Sequence, residues 1–366
     1  MRTAVIRQQQ ALGRKVVAVL PVHYPKPLLT AMNVLAVELW GPPGPPRGPA
    51  AGRLQPYVCA VVRNALAFLA GGHADLVDAV LFPHTCDSVQ GLATLAPDLG
   101  GWTKPVLRFQ HPKGPERLSS RTFVRAELES LAQELAPLTG APLDREALRD
   151  ALAVHAEIDG LRRQLLTQRR RVRLDDAALY ALLRRGEFLW PADHLAELRG
   201  AAAALAPEPV QRGLPLMITG YVPEPMALFA CLGAAGAVVV ADDYAAVGRR
   251  VPRAQPATPG PDDDPLDTLV RAAFAGPPCS TRGEPQGLRL AYLERLYRES
   301  GARGLIVHVP KFCEPELFDA PAIGARFRRL GAPVLLLEGE LETEVSAQTV
   351  TRLEAFCELV ADQGAR

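Results

Sequence analysis

The sequence predicts an α/β protein: two lobes with mostly parallel sheets, separated by a helical insertion. Three observations carry this. The chain has 366 residues, 48% of them hydrophobic and 22% charged, which suits two cores when single domains run roughly 100 to 200 residues. Short β-rich runs alternate with helical segments towards both ends of the chain, an order that implies parallel sheets covered on both faces. Residues 118 to 205, in contrast, are rich in Ala, Leu, Arg and Glu with helical periodicity and no convincing strand. The expected division is an N-terminal lobe over 1–117, an insertion over 118–208 and a C-terminal lobe over 209–366.

The elements follow in order. MRTAVIRQQQALGRK is basic and lacks the apolar core of a signal peptide. No window approaches ~18 uncharged apolar residues, so the expected location is cytoplasmic, with no membrane partner. Lys15 to Pro21 is a short β-rich run; Pro25-Lys26-Pro27 then opens an apolar segment, Leu28 to Leu39, that reads as a helix. A Pro/Gly-rich loop occupies 41–52. Tyr57 to Ala70 reads as a helix stopped by Gly71-Gly72, and Leu76 to Phe82 as a buried strand that delivers PHTCD at 83–87. After the insertion the pattern returns. Strands are expected at 214–220 and 236–243, with Pro223-Glu224-Pro225 and a helix from about Met226 between them. A polar loop at 251–265 and helices at 265–275 and 286–300 lead to the strand GLIVHVP and to PKFCE at 310–314. A strand at 331–340 and a helix over Thr349 to Asp362 close the chain. Each half thus runs strand, Pro-x-Pro, helix, a Cys-bearing segment, helix, strand, Pro-x-x-Cys-acid, the order expected of a duplication.

With 41 Lys and Arg against 40 Asp and Glu, the net charge is +1. No global field draws the chain to nucleic acid or to an acidic membrane, which leaves small molecules and proteins as partners. Six cysteines, at 59, 86, 231, 279, 313 and 357, without a secretion signal are not a disulfide framework. Cys86 and Cys313 each follow a strand and precede an acid and a helix. Ligands of open parallel sheets bind beyond the carboxyl ends of the strands, and a helix N-terminus favours thiolate. Two thiols from opposite lobes are therefore expected to face one cleft. The spacing excludes a zinc ribbon, and an all-sulfur set favours zinc or iron–sulfur over magnesium or calcium.

The segments KVVAVLPVHYPKPLLTAMNVLAVELWG, YVCAVVRNALAFLAGGHADLVDAVLFPHTCDSVQGL, ITGYVPEPMALFACLGAAGAVVVADDYAAVGRR, GARGLIVHVPKFCEPELFDAP and VTRLEAFCEL resemble, in order and over nearly the whole chain, the consecutive motifs of the 2-hydroxyacyl-CoA dehydratase and benzoyl-CoA reductase family. The resemblance implies two Rossmann-like lobes and an oxygen-sensitive [4Fe-4S] cluster on Cys59, Cys86 and Cys313. It implies an open iron position, at which one electron enters an acyl-CoA thioester to give a ketyl radical. It implies a dehydratase (lyase) or reductase subunit working with a second subunit of the same family, as heterodimer or homodimer. An ATP-dependent iron–sulfur activator protein supplies the electron; this chain has no GxxxxGK followed by Ser or Thr.

Around this centre, His84 and Thr85 flank Cys86, and Lys311 and Phe312 flank Cys313, as candidate donors to sulfur or to a thioester oxygen. Ser346, Gln348 and Arg352 lie in a stretch that resembles a family segment near the active site, which makes Ser346 and Gln348 candidate catalytic residues. Arg249-Arg250 are candidates for the phosphates of CoA, and Arg169 to Arg171 read better as a solvated helix face. Cys279, the repeat's counterpart of Cys59, is a candidate extra ligand; Cys231 and Cys357 are expected in core packing. Two further readings stay open: a homodimeric relative whose larger, double-cubane type cluster reduces small molecules other than acyl-CoA, and a non-catalytic electron-transfer or scaffold subunit.

Overall fold

The structure, a computed structural model, describes residues 2–40, 52–252, 254, 258–260 and 262–363. The Pro/Gly-rich loop at 41–52 lies, apart from Gly52, outside the described residues, as do parts of the loop at 251–265. Four strands, β1 (Lys15–Val19), β2 (Val34–Glu38), β3 (Ala79–Pro83) and β4 (Val106–Phe109), form one parallel sheet in the order β2-β1-β3-β4. Four more, β5 (Leu214–Gly220), β6 (Ala237–Tyr244), β7 (Gly304–Pro310) and β8 (Val334–Gly339), form a second in the order β6-β5-β7-β8, again parallel. Both sheets therefore repeat one pattern, as a duplication requires.

Helices α1 (Arg2–Ala11), α2 (Lys26–Ala31), α3 (Ala60–Ala70) and α4 (Asp87–Gly100) belong to the first half. Helices α5 (Leu118–Thr139), α6 (Arg145–Thr167), α7 (Asp176–Arg184) and α8 (Pro191–Ala203) fill the stretch between the sheets, with no strand among its described residues. Helices α9 (Ala227–Ala234), α10 (Pro265–Phe274), α11 (Gln286–Ser300), α12 (Glu314–Arg329) and α13 (Ala347–Gln363) complete the chain. None is long and apolar enough to cross a membrane among the described residues.

The expected helix over Leu28–Leu39 is corrected: α2 stops at Ala31, and β2 takes Val34–Glu38. The physical reason is burial. All five β2 residues are buried, so the strand shows a continuous apolar run instead of alternation, and such a run is indistinguishable by period from a buried helix. Helix α1 and strand β4 are further elements the sequence reading did not anticipate.

Side chains alternate across each strand and divide the interior into layers. Val16 and Ala18 of β1 join Leu216 and Ile218 of β5 and Ile306 of β7 in one core that spans both sheets. Val17 and Val19 face the opposite way, into a second core with α2, α5, α6 and α10. Met217 and Val307 enter a third with α11 and α12. Helix α10, late in the chain, thus packs on the first sheet. Ion pairs from Arg125 of α5 to Asp264 (2.6 Å) and Asp267 (2.5 Å) fasten it there.

Candidate functional site: three thiols beside a basic cavity

The strand order decides where a site forms. In each sheet the first strand sits between the second and third, so successive connections leave it in opposite directions and open a crevice at the carboxyl ends. In the first sheet the crevice lies beyond β1 and β3, where the chain runs into His23 and Cys86. In the second it lies beyond β5 and β7, where it runs into Tyr221 and Cys313. Cys86 is the residue capping the start of α4, Cys313 that of α12, and Cys59 that of α3. All three line one small cavity, together with Tyr221, Thr281 and Phe312. Tyr221 joins the halves, its hydroxyl donating to Pro21 O at 3.4 Å.

Electrostatics at the thiols follow from this crowding. Burial, and then the neighbouring Cys86, push Cys59 up to about 12, while the amides of Val62 and Val61 at the helix start pull the other way. Burial raises Cys86 against the amides of Val89 and Ser88, and burial followed by Cys59, Glu316 and Cys86 raises Cys313 well above the usual thiol range. Three thiolates here would repel one another with no cation between them, and a multivalent metal core reverses that balance. No three His, Cys, Asp or Glu side chains among the described residues are grouped to hold a single metal ion. The all-sulfur donor set, supplied from three helix starts on one cavity, is of the kind that zinc and iron–sulfur groups take.

The anticipated flanking residues divide. Thr85 is buried, and its single hydroxyl proton is shared between Val22 O (3.0 Å) and Pro21 O (3.2 Å) while the oxygen accepts from Val22 N–H (3.2 Å), so it ties the Cys86 loop to the chain just beyond β1. His84 is half-buried and lines neither cavity. Its carbonyl and that of Thr85 accept from Lys113 Nζ at 3.0 and 2.9 Å, and the same ammonium reaches Thr281 O at 2.5 Å. Phe312, with a positive φ of 61°, reaches the cavity; Lys311 is exposed. Ser346 and Gln348 are exposed at the start of α13 and line neither cavity, Ser346 Oγ accepting from Thr349 N–H at 3.2 Å. Cys357 is buried in the shared core and Cys231 packs against it, as expected.

Cys279 opens on a different and larger cavity of about 370 Å³. Thr281, which lines the small cavity, touches two residues of the large one: its Oγ1 lies 2.7 Å from His23 Nε2 and 3.0 Å from Cys279 Sγ. Burial, then Arg282 and Lys113, hold His23 well below the usual imidazole range, so the ring is neutral. Arg249 and Arg250 correct the expectation of a phosphate-facing pair: both guanidiniums are spent inward. Arg249 bonds Glu316 at 2.5 Å, and Arg250 clasps Glu38 at 2.6 and 2.8 Å. Arg169, expected on a solvated face, is buried against Asp176 at 2.8 Å. The sequence reading missed His23 and Tyr221. Their signal is positional: each follows the central strand of its sheet.

The profile of the family described as 2-hydroxyglutaryl-CoA dehydratase, D-component matches residues 21–360. Lactoyl-CoA dehydratase subunit beta of Anaerotignum propionicum is 24% identical, over 95% of this chain and 92% of its own length. The (R)-phenyllactyl-CoA dehydratase beta subunit of Clostridium sporogenes is 21% identical over 97% of this chain and 94% of its own length. One of the benzoyl-CoA reductase subunits of Thauera aromatica is 28% identical over 86% and 82% respectively.

Proposed function

Because the chain belongs to the 2-hydroxyglutaryl-CoA dehydratase D-component family, we propose that it is the iron–sulfur subunit of an enzyme that dehydrates or reduces an acyl-CoA thioester. Cys59, Cys86 and Cys313 would hold a [4Fe-4S] cluster, and the large cavity would receive the acyl group. Such a cluster, when bound, supplies single electrons to the thioester at an iron position that no protein sulfur fills. The observation that carries the reading is the meeting of three thiols from both halves on one cavity, one of whose lining residues, Thr281, contacts His23 and Cys279 of a second, ligand-sized cavity.

The chain's own residues do the rest. Apolar walls formed by Leu152, Ile158, Leu183 and Leu189 exclude water from the acyl group. His23, neutral and bonded through Nε2 to Thr281 Oγ1, orients that hydroxyl from the wall of the large cavity. Thr85 and Lys113 keep the Cys86 loop against β1 and the Cys279–Thr281 turn. We assign ATP hydrolysis to a separate activator protein, and place the assembly, with a second subunit of the same family, in the cytoplasm.

The test is anaerobic purification followed by iron and sulfide assay and EPR, with and without acyl-CoA. About four irons per chain and a signal altered by acyl-CoA support the reading. A chain that binds no iron, or an iron signal indifferent to every thioester tried, overturns it. An iron content near eight would favour the larger cluster.

A further inference from the structure

Tyr221 is buried beside the three thiols with its hydroxyl only weakly bonded. It directly follows β5, an inner strand of its sheet, and lines the cavity on which Cys59, Cys86 and Cys313 open. The residue is 4% exposed, and Trp40 stands edge-on to its ring at 5.4 Å, which holds the ring within the core shared by both sheets. The hydroxyl has one acceptor among the described residues, Pro21 O, at 3.4 Å. An ordinary hydroxyl bond measures about 2.7 to 2.8 Å, and a buried phenol normally makes one. The acceptor is also contested, because Thr85 Oγ1 lies 3.2 Å from the same oxygen.

That shared carbonyl also locates the hydroxyl. Thr85 precedes Cys86, so Tyr221 reaches from the second half of the chain to the backbone beside the Cys86 loop. The other hydroxyls around the thiols are differently placed. Thr85 already divides its proton between Val22 O and Pro21 O, Thr281 Oγ1 lies between His23 and Cys279, and Ser88 is only half-buried, within reach of water. Burial, and then Cys86, Cys313, Cys59 and Cys279, hold the Tyr221 phenol well above its usual range, so it keeps its proton and acts as a donor. A buried donor on so long a bond is costly unless a better acceptor completes it.

Resting on the reading that the three thiols hold an iron–sulfur cluster, we propose that Tyr221 donates a hydrogen bond to a sulfur of that cluster and thereby sets its reduction potential. An added electron makes the sulfurs more negative, so the donor favours the reduced form and raises the potential. Tyr221 is a positioning residue in this role: it touches the cluster's sulfur and acts on the reaction only through the ease with which the cluster accepts and passes on an electron.

A redox titration tests this without turnover. The anaerobically prepared full chain, with its partner protein where the two copurify, is compared with Tyr221→Phe, which loses only the hydroxyl. At one ambient potential the ratio of reduced to oxidised cluster, read by EPR, should be at least threefold lower in the variant, a shift of about 28 mV for one electron. After exchange into deuterium oxide, the spin-echo modulation from deuterons near the reduced cluster should weaken in the variant, which a packing role would not cause. Either an unaltered ratio or an unaltered modulation overturns the proposal and leaves the cluster reading standing. Where Tyr221→Phe holds no iron, replacement of Tyr221 by 3-fluorotyrosine, a stronger donor of nearly the same shape, should raise the ratio above wild type, and no rise overturns the proposal equally. A wild-type chain without iron overturns the cluster reading and this inference with it.

Discussion

Glu316→Gln removes one charge from a fully buried network in the first turn of α12, directly behind Cys313. The Glu316 carboxyl accepts from Arg249 at 2.5 Å and from Ser280 Oγ at 2.6 Å, and Arg289 stands 3.9 Å away. Burial alone would raise this carboxyl, but Arg249 and Arg289 overcome it and hold the group at about 2 instead of 4.5. At about 1.4 kcal/mol per pH unit, that corresponds to about 3 kcal/mol in favour of the carboxylate. Glutamine resembles the protonated acid, so the variant should lose about 3 kcal/mol at pH 7. The lowered value fixes the sign. The contribution is fully present above 4.5 and lost as pH falls from there towards 2, so at pH 4 the difference from wild type should shrink by about 1 kcal/mol. Urea unfolding followed by tryptophan fluorescence, run in parallel on both proteins at pH 7 and pH 4, reads both quantities. A loss under 1 kcal/mol at pH 7, or a gap that does not narrow in acid, would refute the reasoning.

Cys86→Ala or Cys313→Ala should remove the iron while preserving far-UV circular dichroism; a variant that keeps full iron is not missing a ligand. Cys357→Ala, in the shared core, should leave iron content unchanged and cost on the order of 1 kcal/mol in a denaturant titration. Gly220→Ala should lower thermal stability sharply, by more than ~3 kcal/mol, because the added Cβ would lie 1.8 Å from His308 O at a φ of +155°; a melting curve like the wild type's counts against this. Lys26→Met should stabilise the ligand-free protein at pH 7 by about 2 kcal/mol, less than the full shift implies because the side chain meets the cavity. That advantage should fade as pH rises from about 8 towards 10.5, where the wild-type amine sheds its proton in both states.

Legibility varied with how much of the signal is local. Strands such as GLIVHVP were readable because β-branched runs end at a proline and a turn. Strand β2 was not, because Val34–Glu38 is buried on both faces and merges with the helix before it. Strand β4 is four residues long with Arg108 exposed in its middle, too short for a period to register. At the site, Cys86 and Cys313 were legible from their place after a strand, and Cys59 only through its family motif. His23 and Tyr221 were not, since their importance depends on which strand lies at the centre of each sheet, and strand order is a long-range property that no local spacing encodes. Ser346 and Gln348 sit in a segment that resembles an active-site stretch, yet here they begin a helix at the surface.

The twin sheets also let twin positions be compared. Cys59 and Cys279 occupy equivalent places in the repeat, yet their electrical surroundings are opposite. Burial and a neighbouring thiol keep Cys59 a proton carrier, whereas three guanidiniums, Arg249, Arg282 and Arg289, outweigh burial at Cys279 and draw it towards the anion. The repeat has become lopsided in charge: the thiol of one copy is held protonated, while that of the other, ringed by arginine, is drawn towards thiolate.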